Sequence, residues 1–206
     1  FMLEARNAKI FALNFKDNNN IVIPKIYDEY VTEKVLTSEF IDGIELNNIN
    51  VLKKELKKRK VDPDLLIKNG FDAILTQVFL HGFFHADPHP GNILITKNNK
   101  VAFVDFGIIG RFDDELREKT IDLLYGLVFH DADKITNTLV EMGMEKDGDI
   151  SGFKEELRTI IEPLQVSNIG DIKLSRIVED VLHISVEHKL RIPMQFVLFG
   201  KTLITL

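Results

Sequence analysis

Two polar motifs, separated by a short apolar hairpin, constrain the fold of this 206-residue chain more than any other feature of its sequence. The first motif is the loop over residues 84–92, in which two prolines and a glycine interrupt any regular helix. The second is Asp105-Phe106-Gly107. Between them lie the apolar segments 93–95 and 101–104, which are predicted to pair as a hairpin that turns at Asn98-Asn99. Because a hairpin returns the chain to the end from which it started, we expect the two motifs to lie side by side.

The polar residues of the two motifs are those that phosphoryl transfer from a nucleotide requires. Asp87 supplies a carboxylate that can position or deprotonate an acceptor. Asn92 and Asp105 supply an amide oxygen and a second carboxylate, which are oxygen ligands of the kind that Mg²⁺ prefers. Together the three residues predict a magnesium-dependent site for phosphoryl transfer from ATP.

The order of these residues is similar to that of a known superfamily. His-x-Asp, four residues, Asn and then Asp-Phe-Gly resembles the catalytic and magnesium loops of the protein kinases. Residues 84–92, 105–111 and 36–43 resemble more narrowly the UbiB family of atypical protein-kinase-like ATPases, and the likeness extends over nearly the whole chain. Membership of that family is therefore expected.

This resemblance implies an α+β, protein-kinase-like fold. Residues 1–46 would form a partial N-lobe with a truncated small sheet, and residues 47–206 a mostly α-helical C-lobe. The nucleotide cleft is expected between the sheet of residues 21–40 and the helical lobe.

The same resemblance implies roles for single residues. Asp87 is expected to be the catalytic residue. Asn92 and Asp105 are expected to bind Mg²⁺. The residues expected to bind the nucleotide are Glu39, Phe40, Ile41 and Glu4. The backbone of the first three would receive adenine as a hinge, whereas Glu4 would pair with an ATP-binding lysine upstream of Phe1. The expected supporting residues are His85, Phe106 and Gly107.

Two departures from ordinary protein kinases bear on the substrate. Ala86 stands where an arginine often precedes the catalytic aspartate, so no guanidinium is present there to pair with a phosphorylated loop. Residues 108–112 leave little chain before the next predicted helix, and no Ala-Pro-Glu follows. We therefore expect a substrate other than a protein.

The family resemblance also implies a wider role. It implies binding of Mg-ATP, followed by hydrolysis or transfer of the γ-phosphate, in support of ubiquinone or other isoprenoid-lipid biosynthesis. The expected partners are a lipid or isoprenoid small molecule and membrane-bound biosynthetic proteins at the cytoplasmic side of a membrane. Both ends of the sequence fall within helical patterns, so we expect the chain to continue beyond them, and expect these residues alone to be soluble and inactive.

Periodicity and turn residues predict the elements around the motifs. The predicted helices cover residues 4–15, 50–60, 62–79, 113–130, 133–142, 153–161 and 171–188. Besides the hairpin, the predicted strands cover residues 21–24, 27–30 and 35–40.

Charge and cysteine content exclude some functions. The net charge of −6 disfavours nucleic acid as a partner, because it repels a phosphate backbone. The basic cluster at residues 53–60 is interpreted as a solvated helix face. The chain has no cysteine, which excludes disulfides and thiolate chemistry.

Two other functions remain open at this point. A nucleotide-binding module without catalysis would use ATP as a conformational switch, although such a module would not need Asp87. Alternatively, His81, His85 and His89 could join Asp87 in the zinc or iron site of a metallohydrolase. That second alternative would leave the Asp-Phe-Gly segment unexplained.

Overall fold

The computed structural model describes residues 1–46, 56, 61–96, 99–144, 148–166 and 174–205. Most of the predicted helix over residues 50–60 and of the basic cluster, together with the turn residue Asn98, lies outside these ranges. The chain divides into two compact units, Phe1–Ile109 and Gly110–Leu206. The lobe boundary at residues 46 and 47 stays a prediction.

Helix α1 (Met2–Asn14) opens the first unit, as predicted. Ala5, Ala8 and Phe11 of this helix and its C-cap residue Phe15 are buried at spacings of three and four, which places them on one face. Phe11 is fully buried, and its ring centroid lies 5.1 Å from those of both Phe83 and Phe106. Aromatic packing on this face is the core around the two motifs.

Helix α2 (Pro63–Leu75) confirms the helix predicted to begin at Asp62. Asp62 is its N-cap, and its Oδ1 accepts hydrogen bonds from the N–H groups of Asp64 and Leu65 at 3.0 and 3.4 Å. Such a cap satisfies donors that the first turn leaves unpaired. The helix continues into a π-helical segment, Thr76–Leu80, which ends shortly before the loop that carries Asp87.

The main sheet of the first unit has four short strands in the order β1-β5-β4-β2. In chain order, the strands of the unit are β1 (Ile21–Val22), β2 (Ile44–Glu45), β3 (Phe83–His85), β4 (Ile93–Ile95) and β5 (Val101–Phe103). β4 and β5 pair antiparallel, which confirms the predicted hairpin. β1 instead runs parallel to β5, and β2 pairs antiparallel with β4.

The hairpin is fixed to α2 through one of its turn residues. Asn99 has a φ of 58°, a left-handed conformation that asparagine adopts more readily than most residues. Its side-chain oxygen accepts from the Asp62 N–H at 2.8 Å, and its carbonyl accepts from Asn69 Nδ2 at 2.9 Å. The end of the hairpin is therefore anchored by side chains.

The predicted strands over residues 27–30 and 35–40 were wrong. Asp28–Tyr30 forms a 3₁₀ turn, in which the Tyr30 N–H donates to the Tyr27 carbonyl at 3.0 Å. Residues 35–40 form no ladder with the preceding segment but an isolated β-bridge between Ile26 and Ser38, whose flanking bonds run from the Tyr27 N–H to the Thr37 carbonyl and from the Glu39 N–H to the Lys25 carbonyl. Val35 and Phe40 are 50% and 89% exposed, so the apolar side chains that suggested a strand have no core to face. The sheet expected over residues 21–40 is thus reduced to β1.

The second unit is helical, and strand β6 (Ile109–Arg111) spans the division. Its helices are α3 (Asp114–Val128), α4 (Ala132–Glu141), α5 (Ile150–Ile161), α6 (Leu174–Glu187) and α7 (Met194–Thr205). The first four confirm the predicted helices within a few residues, although residues 171–173 lie outside the described ranges. Asp113, Asp131 and Asp149 each cap a helix by accepting from the N–H three residues on, at 2.8–2.9 Å.

The second unit packs around leucine, isoleucine and phenylalanine side chains from all five helices. Phe153, Leu157 and Ile161 of α5 are fully buried at its centre. Helices α3 and α4 approach closely at Gly126, where a Cβ would lie 2.7 Å from Ile135 Cγ1. None of the helices in the described ranges is long and apolar enough to cross a membrane.

Candidate active site

The loop that carries Asp87 is a pair of tight turns held by its own polar groups. The Asp87 carbonyl accepts from the His89 N–H at 2.7 Å and from Asn92 Nδ2 at 3.3 Å. The Asn92 N–H donates to the His89 carbonyl at 2.7 Å. These bonds fix Asn92 relative to Asp87 where helix and strand give no support.

Asn92 is also bonded to the strand that leads to Asp105. Its carbonyl accepts from the Val104 N–H at 3.1 Å, which extends the β4–β5 ladder by one residue. Asp105 is the next residue, and its Oδ1 accepts from the Gly107 N–H at 2.8 Å. The backbone positions of Asp87, Asn92 and Asp105 are therefore joined through Asn92.

The oxygen atoms of this group are of the type that Mg²⁺ binds. Because Nδ2 of Asn92 donates to a backbone carbonyl, its Oδ1 is the amide atom that can ligate a cation. Asp105 adds a half-buried carboxylate. Carboxylate and amide oxygens form hard, oxygen-rich sites suited to Mg²⁺ rather than to a soft metal.

His85 supports the loop over residues 84–92, the predicted catalytic loop, from a fully buried position. Its N–H donates to Gln77 Oε1 at 2.9 Å, and its Nδ1 accepts from the Asp87 N–H at 3.2 Å. The first bond holds the backbone of His85, and the second orients its ring, because an Nδ1 that accepts a hydrogen bond carries no proton. The ring lies 5.9 Å from that of Phe103 and 6.2 Å from that of Phe106.

The Asp-Phe-Gly segment is held from two sides. Asn7 Nδ2 donates to the Phe106 carbonyl at 2.9 Å, which ties the segment to α1. The Ala86 N–H donates to the Ile108 carbonyl at 3.0 Å, which ties the chain after Gly107 to the catalytic loop. Phe106 is buried, whereas Gly107 is exposed.

Sequence reasoning missed two residues that contact these loops, Asn7 and Gln77. Each is a carboxamide that is 3% exposed or less; Asn7 is flanked on its helix by the buried Ala5 and Ala8, and Gln77 by the buried Ala73 and Val78. A polar residue at a position that the helical period assigns to the core was the available signal. The sequence alone did not reveal their partners.

The predicted hinge residues lie on an exposed segment that connects to the catalytic loop. The Glu39 N–H donates to the Lys25 carbonyl at 2.8 Å, and its Oε2 accepts from the Lys25 N–H at 3.2 Å. Within the described residues, the N–H and C=O groups of Phe40 and Ile41 make no hydrogen bond. Farther along, the Leu46 N–H donates to the carbonyl of Pro90 in the catalytic loop at 3.2 Å.

Glycine is required where this segment crosses β4. A Cβ at Gly43 would lie 2.6 Å from the Cβ of Leu94, closer than real Cβ atoms approach. The strand pairing of Ile44 with Ile95 begins at the next residue. The absence of a side chain at position 43 thus allows the hinge segment to lie directly on the strand that follows Asn92.

Glu4 lies in the first turn of α1 and is half-buried. Its carboxylate has no ion pair or hydrogen bond with any residue that the structure describes. Asn7, one turn further along the same helix, is the residue bonded to Phe106. Glu4 is therefore on the helix that contacts the Asp-Phe-Gly segment.

The three histidines do not assemble into a metal site. His89 Nδ1 accepts from the Gly91 N–H at 3.1 Å, and the ring of His81 packs edge-on against Phe15 at 5.2 Å. Burial lowers the pKa of His81 from its ordinary value of 6.5. Across the described ranges, no three His, Cys, Asp or Glu side chains converge to hold a metal ion. The geometry therefore does not support a His/Asp metallohydrolase.

Comparison with known proteins agrees with the geometry. The sequence profile of the ABC1 atypical kinase-like domain matches residues 1–139. The chain belongs to the ABC1 atypical kinase-like family. The profile of the UbiB helical domain matches residues 157–206 of this ABC1 family member, so the predicted UbiB family membership is confirmed.

Two relatives of this ABC1 family member come from Arabidopsis thaliana. The protein ACTIVITY OF BC1 COMPLEX KINASE 8, chloroplastic, is 39% identical over 154 residues, 73% of this chain and 20% of that protein. ACTIVITY OF BC1 COMPLEX KINASE 7, chloroplastic, is 31% identical over 199 residues, 95% of this chain and 28% of that protein. The chain thus spans between 20% and 28% of the length of these relatives.

A solved structure has the same fold. Rv3197 from Mycobacterium tuberculosis, in complex with erythromycin, matches with a TM-score of 0.56 at 22% identity. The match covers 99% of this chain and 53% of that one. Together with the ABC1 profile, it confirms the predicted α+β, protein-kinase-like fold.

Proposed function

We propose that the protein binds Mg-ATP and either hydrolyses it or transfers its γ-phosphate. The observation that carries the proposal is the position of Asn92, whose side chain bonds the Asp87 carbonyl while its own carbonyl bonds the residue before Asp105. This arrangement supports an acceptor-positioning carboxylate and two oxygen ligands at the same end of the β4–β5 hairpin.

Each residue has a distinct part in this proposal. Asp87 orients the attacking hydroxyl or water and accepts its proton, while Asn92 and Asp105 hold the cation. When bound, Mg²⁺ supplies neutralisation of the charge on the phosphate oxygens. His85 and Gly107 hold the two loops in shape through the bonds described above.

The nucleotide is proposed to lie with its adenine against the backbone of Glu39, Phe40 and Ile41. The unengaged N–H and C=O groups of Phe40 and Ile41 within the described residues support this, since adenine needs one donor and one acceptor. Glu4 is proposed to orient a lysine that contacts the phosphates. Its lack of any charged partner in the described ranges is consistent with that role.

The test compares Asp87→Asn with Asp17→Asn in the intact protein. Asp17 is exposed and makes no side-chain bond within the described residues, so it is a matched control. Loss of a general base lowers turnover by about 10²–10⁴-fold, and we expect that loss of ATPase rate in Asp87→Asn alone. An unchanged rate would remove the catalytic role and leave a nucleotide-dependent switch as the function.

Binding is measured separately by thermal shift with Mg-ATP. A ligand at 100 times its Kd stabilises the native state by about 2.7 kcal/mol. We expect Asp105→Ala to abolish this stabilisation and Asp87→Asn to retain it. If the wild-type protein shows no shift with Mg-ATP, the proposal as a whole is wrong.

The cellular role proposed from the family is support of ubiquinone or other isoprenoid-lipid synthesis, with an isoprenoid compound and membrane-bound biosynthetic proteins as partners, at the cytoplasmic side of a membrane. Deleting the protein from its host cell is expected to lower isoprenoid-quinone content, measured by mass spectrometry. Unchanged quinone content would contradict this role without affecting the ATP proposal.

A further inference from the structure

A buried carboxamide interrupts the apolar face of α1. Asn7 is 3% exposed and lies between the buried Ala5 and Ala8. Placing an amide in a core is unfavourable unless it is hydrogen-bonded, and an apolar residue would continue the face without that requirement. The hydrogen bond that Asn7 makes is therefore the feature that explains an amide at this position.

That bond reaches the centre of Asp105-Phe106-Gly107, the proposed magnesium segment. Asn7 Nδ2 donates to the carbonyl of Phe106, across 99 residues of sequence, at 2.9 Å in a buried environment. Phe106 lies between Asp105, the proposed magnesium ligand, and Gly107, whose N–H bonds the Asp105 carboxylate. A shift of the Phe106 carbonyl would therefore move the carboxylate itself.

Helix α1 also contacts the side chain of Phe106. Phe11, one turn after Asn7, places its ring 5.1 Å from that of Phe106. On another side the ring of His85 lies 6.2 Å away, and His85 bonds the backbone of Asp87. Phe106 is thus fixed by its carbonyl and its ring to α1, and by its ring to the catalytic loop.

We infer that Asn7 is a positioning residue for the magnesium segment, and that the site's affinity for Mg²⁺ depends on its contact with α1. The inference rests on the proposed Mg-ATP function and deepens it, because any event that moves α1 then changes magnesium binding at Asp105. Asn7 acts through the backbone of Phe106 and does not itself ligate the cation.

The experiment uses the intact protein with Asn7→Leu, and with Asn7→Ser made in parallel in case the larger change prevents folding. Serine keeps a donor that is too short to reach the carbonyl. The control is Asn14→Leu, a half-buried residue of the same helix without side-chain hydrogen bonds in the described ranges. ATPase rate is measured against Mg²⁺ concentration, and amide hydrogen exchange over residues 105–108 and 66–74.

For both Asn7 variants we expect the Mg²⁺ concentration at half-maximal rate to rise by about tenfold or more, as for other groups that orient a metal ligand. Saturating Mg²⁺ should restore most of the rate, which a general loss of folded protein would not permit. Exchange should rise over residues 105–108 and stay unchanged over residues 66–74. The inference would be overturned if the Asn7 variants had the magnesium dependence of the wild type and also its amide exchange rates over residues 105–108.

The exchange measurement separates this inference from the function on which it rests. If the wild-type protein shows no magnesium-dependent ATPase, the proposed function fails. In that case amide hydrogen exchange over residues 105–108 is the remaining test of the positioning role. Equal exchange rates in the Asn7 variants and the wild type would then overturn that role as well.

Discussion

Phe11→Ala tests whether the aromatic packing of α1 supports the first unit. The Phe11 side chain is fully buried and contacts the rings of Phe15, Phe83 and Phe106, with centroids 6.5, 5.1 and 5.1 Å away. Truncating a buried phenylalanine costs about 3–5 kcal/mol, through lost transfer free energy and the cavity left behind. Since whole domains are stable by about 5–15 kcal/mol, this change removes a large part of the total.

Urea unfolding with far-UV circular dichroism measures the effect. With a slope of about 2 kcal/mol per M, the loss corresponds to a midpoint lower by about 1.5–2.5 M. The matched control is Leu13→Ala on the same helix, 68% exposed, whose free energy of unfolding should change by less than about 0.5 kcal/mol. Similar midpoints for the two variants would refute the assignment of this face of α1 to the core.

Further predictions concern the support of the catalytic loop, helix packing and pH. Gln77→Met removes the side-chain oxygen that accepts from the backbone N–H of His85. It also removes Nε2 of Gln77, a buried donor that has no partner among the described residues. Because these two effects oppose each other, the free energy of unfolding should stay within about 1 kcal/mol of the wild-type value, whereas the ATPase rate should fall about tenfold. An unchanged rate would contradict the role of Gln77 in supporting the catalytic loop. Gly126→Ala should destabilise the fold by about 1–3 kcal/mol because the added Cβ would meet the neighbouring helix. Gly70→Ala should stabilise the fold by about 0.5–1 kcal/mol, because a Cβ added there would have no neighbouring side chain or loop within 4 Å. Thermal unfolding of both variants checks the pair, and equal shifts would exclude the close approach. Burial lowers the folded-state pKa of His81 below 6.5, so the unfolded state binds more protons between the two values, and stability should fall as pH drops through that window. His81→Leu should flatten this dependence in urea titrations, and an unchanged slope would show that another group is responsible.

Local patterns predicted the elements whose stabilising contacts are close in sequence. The β4–β5 hairpin and helices α1 to α6 follow from periodicity and caps, such as Asp62 before α2. The motif residues Asp87 and Asn92 could be selected because polar side chains stood where periodicity stopped. A hydrogen bond between them, from Asn92 Nδ2 to the Asp87 carbonyl, then joined them as expected.

Contacts between distant segments could not be predicted in the same way. β1 is two residues long and pairs parallel with β5, and β2 pairs with β4, so neither pairing has a local signal. Residues 35–40 resembled a short strand that ends before Asp42-Gly43, but strand propensity needs a packed partner, and Phe40 is 89% exposed. Asn7 and Gln77 were missed because a single sequence shows a buried amide but not the group to which it is bonded.

The bond from Asn7 to Phe106 also sets the order in which the site can form during synthesis. Its partners are 99 residues apart, so at about 5–20 residues per second Phe106 leaves the ribosome roughly 5–20 s after Asn7. During that interval Phe11 lacks the Phe106 ring, and Asn7 lacks its acceptor. The nascent helix α1 is therefore expected to expose an aromatic surface that chaperones can bind, and the magnesium segment completes the first unit when it arrives.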